Sequence, residues 1–518
     1  MGRTNVLMNK KKIIPIIYIA LWVTPFIFLF RDFFELNSFT LIMDSRLSRI
    51  LGVTFLQSIL STLISLAIAI IPSYYIYKKK NLISNILEGS IFIPFFFPPV
   101  SMVLAFSLLY SNAGLFSKLG IDLNILYTMK AIVLAHVFYN SPIFVKYIGE
   151  ALRKIPNGVV EASKIDGASK VRTFFSIEVP MIMPSIMKAF FLVFSYSFMS
   201  FAVVLNLGGI KYSTLEVAIA NTLRGSFDFS KALGYALIQF AILFVLNYVI
   251  SKIDILSFEG DISHPKKVSK FVTGTSIIYL IFEFSIVFVG VFSAFFNFFD
   301  MKFDISGFLN LFSKEFNNKY PIVESIFNSL FVALIAATLS IVFTYIILKN
   351  YTKFTDRVIL PFLGISSAFL AMGLLYINIL YGIPFVILLI IGFMMITIPI
   401  TYSFLFQHVV GFNKSLLEAA SIDGANRWQS FWNIELPLIL PSMISVFLQI
   451  FAIIYGEFTI TYTMQVRDFF PLVSVVNYSL SANRQYLEAN ALSAFNIAII
   501  IIIFVLSNRI KNRFYKTL

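Results

Sequence analysis

Residues 161–185 read EASKIDGASKVRTFFSIEVPMIMPS, and residues 418–442 read EAASIDGANRWQSFWNIELPLILPS. At a constant offset of 257, thirteen of the 25 positions are identical. They include Glu161/Glu418, Ala162/Ala419, Asp166/Asp423, Gly167/Gly424, Ala168/Ala425, Phe174/Phe431, Glu178/Glu435, Pro180/Pro437 and Pro184/Pro441, and the register reaches back to Pro142/Pro399. Agreement of this length marks an internal duplication. Each copy predicts a short helix favoured by Glu and Ala, a sharp turn at Gly167 or Gly424 where a side chain would clash, and a second helix restricted by Pro180 or Pro437 where it joins the next apolar run. Ala162, Ala168, Ala419, Ala420 and Ala425 leave a low surface that another protein can approach closely. Ordered loops often carry Gly and acids. Two copies with the same acids and the same glycine favour a shared role over that bland reading.

The rest of the chain is apolar. Of 518 residues, 58% are hydrophobic and only 13% are charged, where a soluble domain has about a quarter charged. So little charge cannot cover a protein of this size in water, and the solvent for most of its surface is lipid. Runs of about 20 residues able to span a bilayer lie at 13–30, 51–77, 87–110, 126–148, 184–206 and 232–251. A second set lies at 271–296, 324–348, 357–380, 383–406, 438–462 and 488–507, with 357–380 and 383–406 joined through the very short turn at Tyr381-Gly382-Ile383-Pro384. The expected fold is therefore an all-α integral membrane protein of twelve transmembrane helices in two homologous six-helix halves. The halves are 1–258 and 271–518, joined by a polar linker at 259–270. The first apolar run lacks a small-residue cleavage site and continues into a Phe-rich stretch, so no cleavable signal peptide is expected.

The net charge of +14 would suit nucleic acid, but the basic residues form short clusters between apolar runs rather than one face. With the N-terminus inside, the inner segments hold 26 Lys and Arg and the outer ones 13, with Lys188 near the inner end of its run. That asymmetry predicts cytoplasmic termini and cytoplasmic placement of both duplicated loops. The repeats then have parallel topology about an axis along the membrane normal. No nucleic-acid partner is expected. The absence of Cys excludes disulfides and thiolate metal sites. Three scattered histidines, His136, His264 and His408, do not make a metal cluster. No phosphate-binding loop of the form G-x-x-x-x-G-K-[ST], no H-E-x-x-H and no G-x-S-x-G occurs. The chain is read as a non-enzyme with no metal and no cofactor.

The pattern E-A-A-x-x-D-G-A followed by I-x-L-P-x-x-x-P resembles the signature loop of binding-protein-dependent ABC importer permeases, and the resemblance covers both halves. It implies that the loops at 150–183 and 408–440 are coupling loops, each docking a short helix into one of two copies of a separate ATPase subunit. By position, Glu161, Ala162, Asp166, Gly167 and Ala168 form one docking element, and Glu418, Ala419, Asp423, Gly424 and Ala425 the other. The first copy has Ser163 where the family commonly has Ala, and the second lacks the Ile155-Pro156 pair that precedes the first. The resemblance also implies residence in the bacterial inner (cytoplasmic) membrane and a periplasmic or lipid-anchored substrate-binding protein, for which the outer loops 207–231 and 463–487 are docking surfaces. Closure of the ATPase pair would rock the bundle between inward-facing and outward-facing states.

Four residues are candidates for the translocation path. Glu457 sits in an apolar run at the register position of Ser200. It reads equally as a residue lining the path of a cationic substrate and as a structural carboxylate bonded to a neighbouring helix. His136 and Asn140 share a face four residues apart, where hydrogen bonding between helices is the favoured role. Glu283, a second intramembrane acid, is read as structural. The stretch after the fifth run, with L-x-L-G-G at 205–209 and T-L-E-V-A-I at 214–219, is similar to the corresponding region of fused thiamine permeases, with fused ferric-iron permeases the nearest rival. A stand-alone secondary transporter would need no docking loops and would show ion-coupling polar residues in broken helices.

Overall fold

The computed structural model describes residues 2–34, 45–90, 97–112, 114–209, 211–251, 268–298, 300–359, 361–362, 365–413 and 415–515. Most of the linker predicted at 259–270 lies outside the described residues, as do residues 91–96 of the run predicted at 87–110. Twelve principal helices follow in chain order: α1 Gly2–Phe33, α2 Ser45–Lys78, α3 Pro99–Tyr110, α4 Met129–Arg153, α5 Val179–Phe198 and α6 Phe229–Ser251. The second set is α7 Lys270–Phe292, α8 Ile322–Lys349, α9 Ser367–Tyr381, α10 Phe385–Val409, α11 Leu436–Tyr455 and α12 Tyr486–Tyr515. The strands among the described residues are one small antiparallel hairpin, β1 Phe296–Asn297 and β2 Lys302–Phe303.

Eleven helices among the described residues are long and apolar enough to cross a membrane, and α9 is a shorter apolar helix of 15 residues. The fold is all-α and integral to the membrane. The run predicted at 357–380 is not one helix: its first residues belong to a separate helix, Lys353–Ile359. α9 ends at Gly382, whose φ of +63° is the left-handed cap that lets the chain turn at once into α10 behind Pro384.

The described helices pack as two units. One holds residues 39–219 and 234–307. At its centre α2 lies along α4, α5 packs on both, and α7 packs on α2 and α3. The other holds residues 1–38, 220–233 and 308–518. At its centre α8 lies along α10, α11 packs on both, α12 packs on α11, and α1 packs on α9. The duplication pairs α8, α10 and α11 with α2, α4 and α5, so each unit is built on the same three helices. The leading helices are exchanged: α7 belongs to the unit of the first three, α1 to the unit of the second.

Side-chain chemistry explains the tight central pairs. One face of α2 carries Thr54, Gln57, Ser58, Ser61, Thr62 and Ser65, all buried, while Leu56, Ile59 and Leu63 on the opposite face are exposed. Small hydroxyl side chains let helices approach closely in lipid, where no hydrophobic force draws them together. Thr54, Ser58 and Thr62 each return a hydrogen bond to the carbonyl four residues earlier. In the other unit Ala333, Ala336, Ala337 and Ser340 form the buried face of α8, and the Ser340 hydroxyl meets the Thr397 hydroxyl of α10 at 2.8 Å. α1 and α9 touch at a point that only glycine permits, since a Cβ on Gly373 would stand 2.7 Å from the Cβ of Pro25.

Candidate functional site: the duplicated turns

Both duplicated segments fold into the same object. In the first, a helix at Asn157–Ile165 ends at Gly167, whose φ is +79°. The Gly167 amide donates to the Lys164 carbonyl at 3.0 Å and the Ala168 amide to the Ser163 carbonyl at 2.9 Å. In the second, a helix at Ser415–Ile422 ends at Gly424, with φ +85°. There the Gly424 amide donates to the Ser421 carbonyl at 3.2 Å and the Ala425 amide to the Ala420 carbonyl at 2.9 Å. This pair of bonds around a left-handed residue is the Schellman cap. A Cβ on either glycine would meet nothing within 4 Å, so backbone conformation rather than space demands glycine.

A one-turn helix follows each cap, at Lys170–Thr173 and Arg427–Ser430. The chain then passes through a π-helical segment, Phe174–Glu178 or Phe431–Glu435, into α5 or α11, with Pro180 and Pro437 in the first turn. The arms of the turns are tied differently. Ser163 and Thr173 share a hydroxyl contact of 3.0 Å in the first copy. In the second, Asn426 and Gln429 form a reciprocal capping box.

The two surfaces match position by position. Glu161, Ala162, Asp166 and Gly167 are exposed and Ala168 is partly so; Glu418, Ala419, Asp423, Gly424 and Ala425 repeat the pattern. Ser163 and Ala420, the small residues between them, are buried floors. The sequence reading passed over the apolar side chains that each turn bares. Ile165 is 86% exposed and Ile422 85%. At the same offset, Val171 and Trp428, and Phe175 and Trp432, are also exposed. Bare apolar groups rimmed by charge have the chemistry of a contact surface.

The sequence reading also missed how each turn is fastened. Oε1 of Glu178, the last π-helical residue, lies 3.4 Å from Nζ of Lys78 and accepts from the Tyr77 hydroxyl at 3.2 Å. Oε1 of Glu435 lies 2.5 Å from Nζ of Lys349 and accepts from the Tyr345 hydroxyl at 2.8 Å. The partners stand at the ends of α2 and α8. Just past α8, Tyr351 donates to Asp356 at 2.7 Å, a bond that raises the phenol's pKa and steadies the Lys353–Ile359 helix.

Three of the four path candidates form one cluster. The two ring nitrogens of His136 meet the Ser61 hydroxyl at 3.0 Å and the Ser200 hydroxyl at 2.7 Å. Asn140 donates to the Ser197 hydroxyl at 3.1 Å, and Gln57 to the Ser197 carbonyl at 2.7 Å. These contacts stitch α2, α4 and the C-terminal end of α5 together. Ser200 lies in a break between α5 and a short helix at Ala202–Leu207. Glu457, which belongs to the other unit, lies in the matching break between α11 and Thr459–Thr463. Its two carboxylate oxygens accept the Ile460 amide at 3.0 and 3.1 Å, holding the N-terminus of that short helix. Non-helical backbone at this depth is tolerated where protein or water surrounds it. Glu283 is buried in α7 and accepts from the Ser141 hydroxyl of α4 at 3.1 Å. Among the described residues no group of three or more His, Asp or Glu is placed to hold a metal ion.

Residues 62–254 and 346–518 both match the family described as the binding-protein-dependent transport system inner membrane component. Among curated proteins, the thiamine transport system permease of Haemophilus influenzae is 26% identical over 226 residues, 42% of this chain and 41% of that protein. Its Escherichia coli counterpart is 29% identical over 202 residues, 38% of each chain. The probable transport system permease NifC of Clostridium pasteurianum is 23% identical over 236 residues, 44% of this chain and 82% of that protein. The chain thus covers about two fifths of the length of these thiamine permeases.

Proposed function

The chain belongs to the family of binding-protein-dependent transport system inner membrane components, and from that membership we propose that it is the translocation subunit of an ATP-driven importer. Proteins of this family are transport permeases, not enzymes. The energy then comes from a separate ATPase, and the two turns are where it acts. Asp166-Gly167-Ala168 and Asp423-Gly424-Ala425 project into the cytoplasm, as the Lys and Arg distribution predicts. The observation that carries this reading is the baring of Ile165 and Ile422 at the tips of two identically capped turns. Apolar side chains left so exposed among the described residues suit a groove on two copies of an ATPase subunit.

The substrate we assign is thiamine, handed over by an extracytoplasmic binding protein at the outer loops 207–231 and 463–487. The assignment rests on the thiamine permeases among the relatives and on the L-x-L-G-G and T-L-E-V-A-I stretch. Ser200 and Glu457, at matched helix breaks, line the path in this reading. The test is uptake of radiolabelled thiamine by proteoliposomes containing the chain, its ATPase and its binding protein. Gly167→Asp combined with Gly424→Asp, which sets an added carboxylate on each exposed turn, abolishes ATP-driven uptake while the chain stays inserted. Normal uptake by the double variant would overturn the role of the turns. ATP-driven uptake of a ferric complex in place of thiamine would move the substrate and leave the energy source in place.

A further inference from the structure

We infer that Glu178 and Glu435 are positioning residues that clamp each turn to the inner end of α2 or α8, so that turn and helix move as one body when an ATPase pulls on the turn. The inference rests on the reading of the turns as ATPase contacts. It concerns what happens to the pull once it has been delivered.

The direct route from a turn into the membrane is weak. It runs through a π-helical segment and then a proline in the first turn of α5 or α11. π-helical segments are wide and collect at functional sites, and proline removes an amide from the ladder. A pull along that route meets a joint. The clamp takes hold at the end of the π-helical segment and before the proline, so a pull that reaches it passes to α2 or α8 as well as to α5 or α11. Glu178 and Glu435 each sit at the far end of the π-helical segment, and both are nearly inaccessible to water, at 3% and 4%. A carboxylate this buried needs a cation and hydrogen-bond donors, and each receives one lysine and one tyrosine from a single helix. That helix is the hub of its unit: α2 lies along α4 and carries α5, and α8 lies along α10 and carries α11.

The two clamps reach one chemistry by different positions, which speaks for a common duty. The glutamates are 257 residues apart, but the lysines are 271 apart. The hydroxyl comes from Tyr77, adjacent to Lys78, in one copy, and from Tyr345, one helical turn before Lys349, in the other. Tyr74, the residue at the register position of Tyr345, holds its ring 5.1 Å from Lys78 Nζ and edge-on to Phe174 of the π-helical segment at 5.7 Å. Inherited register alone does not produce that substitution of one tyrosine for another.

The test uses the full chain in complex with its ATPase in lipid. The chain has no cysteine, so introduced thiols are unique. Spin labels at Lys80→Cys and Lys164→Cys report the separation of the α2 end and the first turn. We expect one narrow distance that is the same in nucleotide-free and ATP-bound complexes. Glu178→Gln should lose it for a broad distribution, and the exchanged pair Lys78→Glu with Glu178→Lys should restore it. In proteoliposomes with the binding protein, Glu178→Gln should cut thiamine moved per ATP hydrolysed about tenfold while hydrolysis continues. A narrow distance that survives Glu178→Gln, or a native distance that changes between nucleotide states, would overturn the clamp. Uptake of thiamine by the chain with no ATPase attached would instead overturn the reading of the turns, and it is measured apart from the distances.

Discussion

Lys78 Nζ stands 3.4 Å from Glu178 Oε1 with 8% and 4% of the two side chains exposed, and the same ammonium lies 3.5 Å above the ring of Tyr77. The pair in the other unit is geometrically closer, at 2.5 Å, but the Lys349 side chain is 40% exposed. Burial, more than distance, sets what loss of the lysine costs. Lys78→Met leaves a carboxylate buried with no cation, a change worth about 3 kcal/mol or more. Lys349→Met leaves Glu435 near water that can solvate the gap, and costs about 1 kcal/mol. Thermal unfolding of the detergent-solubilised chain should show the larger fall in Tm for Lys78→Met. Equal falls would mean that both sites are equally wet.

Gly167 and Gly424 adopt left-handed φ with open space around the missing Cβ. Shape is therefore not what a substitution offends. Asn visits this conformation readily and β-branched residues do not. Gly167→Asn should keep ATP-driven uptake near the unmodified level. Gly167→Val should lose most of it, through about 1–2 kcal/mol of strain that uncaps the helix. Uptake that falls equally in both would point to a glycine needed for close approach of the ATPase, not for the turn.

Ile165 and Ile422 are 86% and 85% exposed, so their removal should leave the fold alone. Ile165→Asp with Ile422→Asp should keep the unfolding midpoint within about a degree of the unmodified chain, as surface changes do. It should weaken co-purification of the ATPase by about tenfold or more, since a central apolar anchor commonly carries 2 kcal/mol or more. Retained co-purification would shift the contact to the charged rim at Glu161 and Glu418.

How much of this was legible follows from what each feature depends on. The turns were legible because their chemistry is local: a helix former, a cap, a residue that tolerates positive φ, and a proline, all within 25 residues and written twice. The apolar runs were legible because lipid imposes length and composition together. The exchange of α1 and α7 between units was not, since nothing in an apolar helix states which neighbour it will pack on. Gly373, the residue that admits Pro25 of α1, looks from sequence like any small residue in a span. The clamp was half legible. Glu178 and Glu435 stood out in the repeat, but the lysines fall off the 257 register. The first half carries a long connection at 111–128, where the second has the tight turn at Gly382–Pro384. The same insertion hid the correspondence of the C-terminal ends of α2 and α8.

The contact of α1 with α9 yields a prediction of its own. A Cβ on Gly373 would stand 2.7 Å from the Pro25 side chain and 3.4 Å from its backbone, and a ring fixed in a helix cannot swing away. Gly373→Ala should destabilise the chain by about 1–3 kcal/mol through overpacking, and Gly373→Leu by more. Proteolysis in detergent should then cut first near the N-terminal helix. A neutral Gly373→Ala would mean that α1 slides along α9 to make room.

Glu457 is where the two readings of an intramembrane acid can be separated. Its carboxylate holds the Ile460 amide, and that bond asks only for an acceptor oxygen, whereas a role on a cation's path asks for charge. Glu457→Gln keeps the acceptor and removes the charge. The helix at Thr459–Thr463 should survive and Tm should not move. Half-saturation for thiamine uptake should nevertheless rise about tenfold, the scale of a lost charge-assisted contact. Glu457→Ala removes both and should lower Tm as well, by the cost of a lost helix cap, about 1 kcal/mol. If Glu457→Gln transports with unchanged half-saturation and only Glu457→Ala is impaired, the residue is a cap and the path runs elsewhere. The matched break at Ser200 is then the next position to probe, by Ser200→Ala, which frees the His136 ring from one of its two hydroxyl partners.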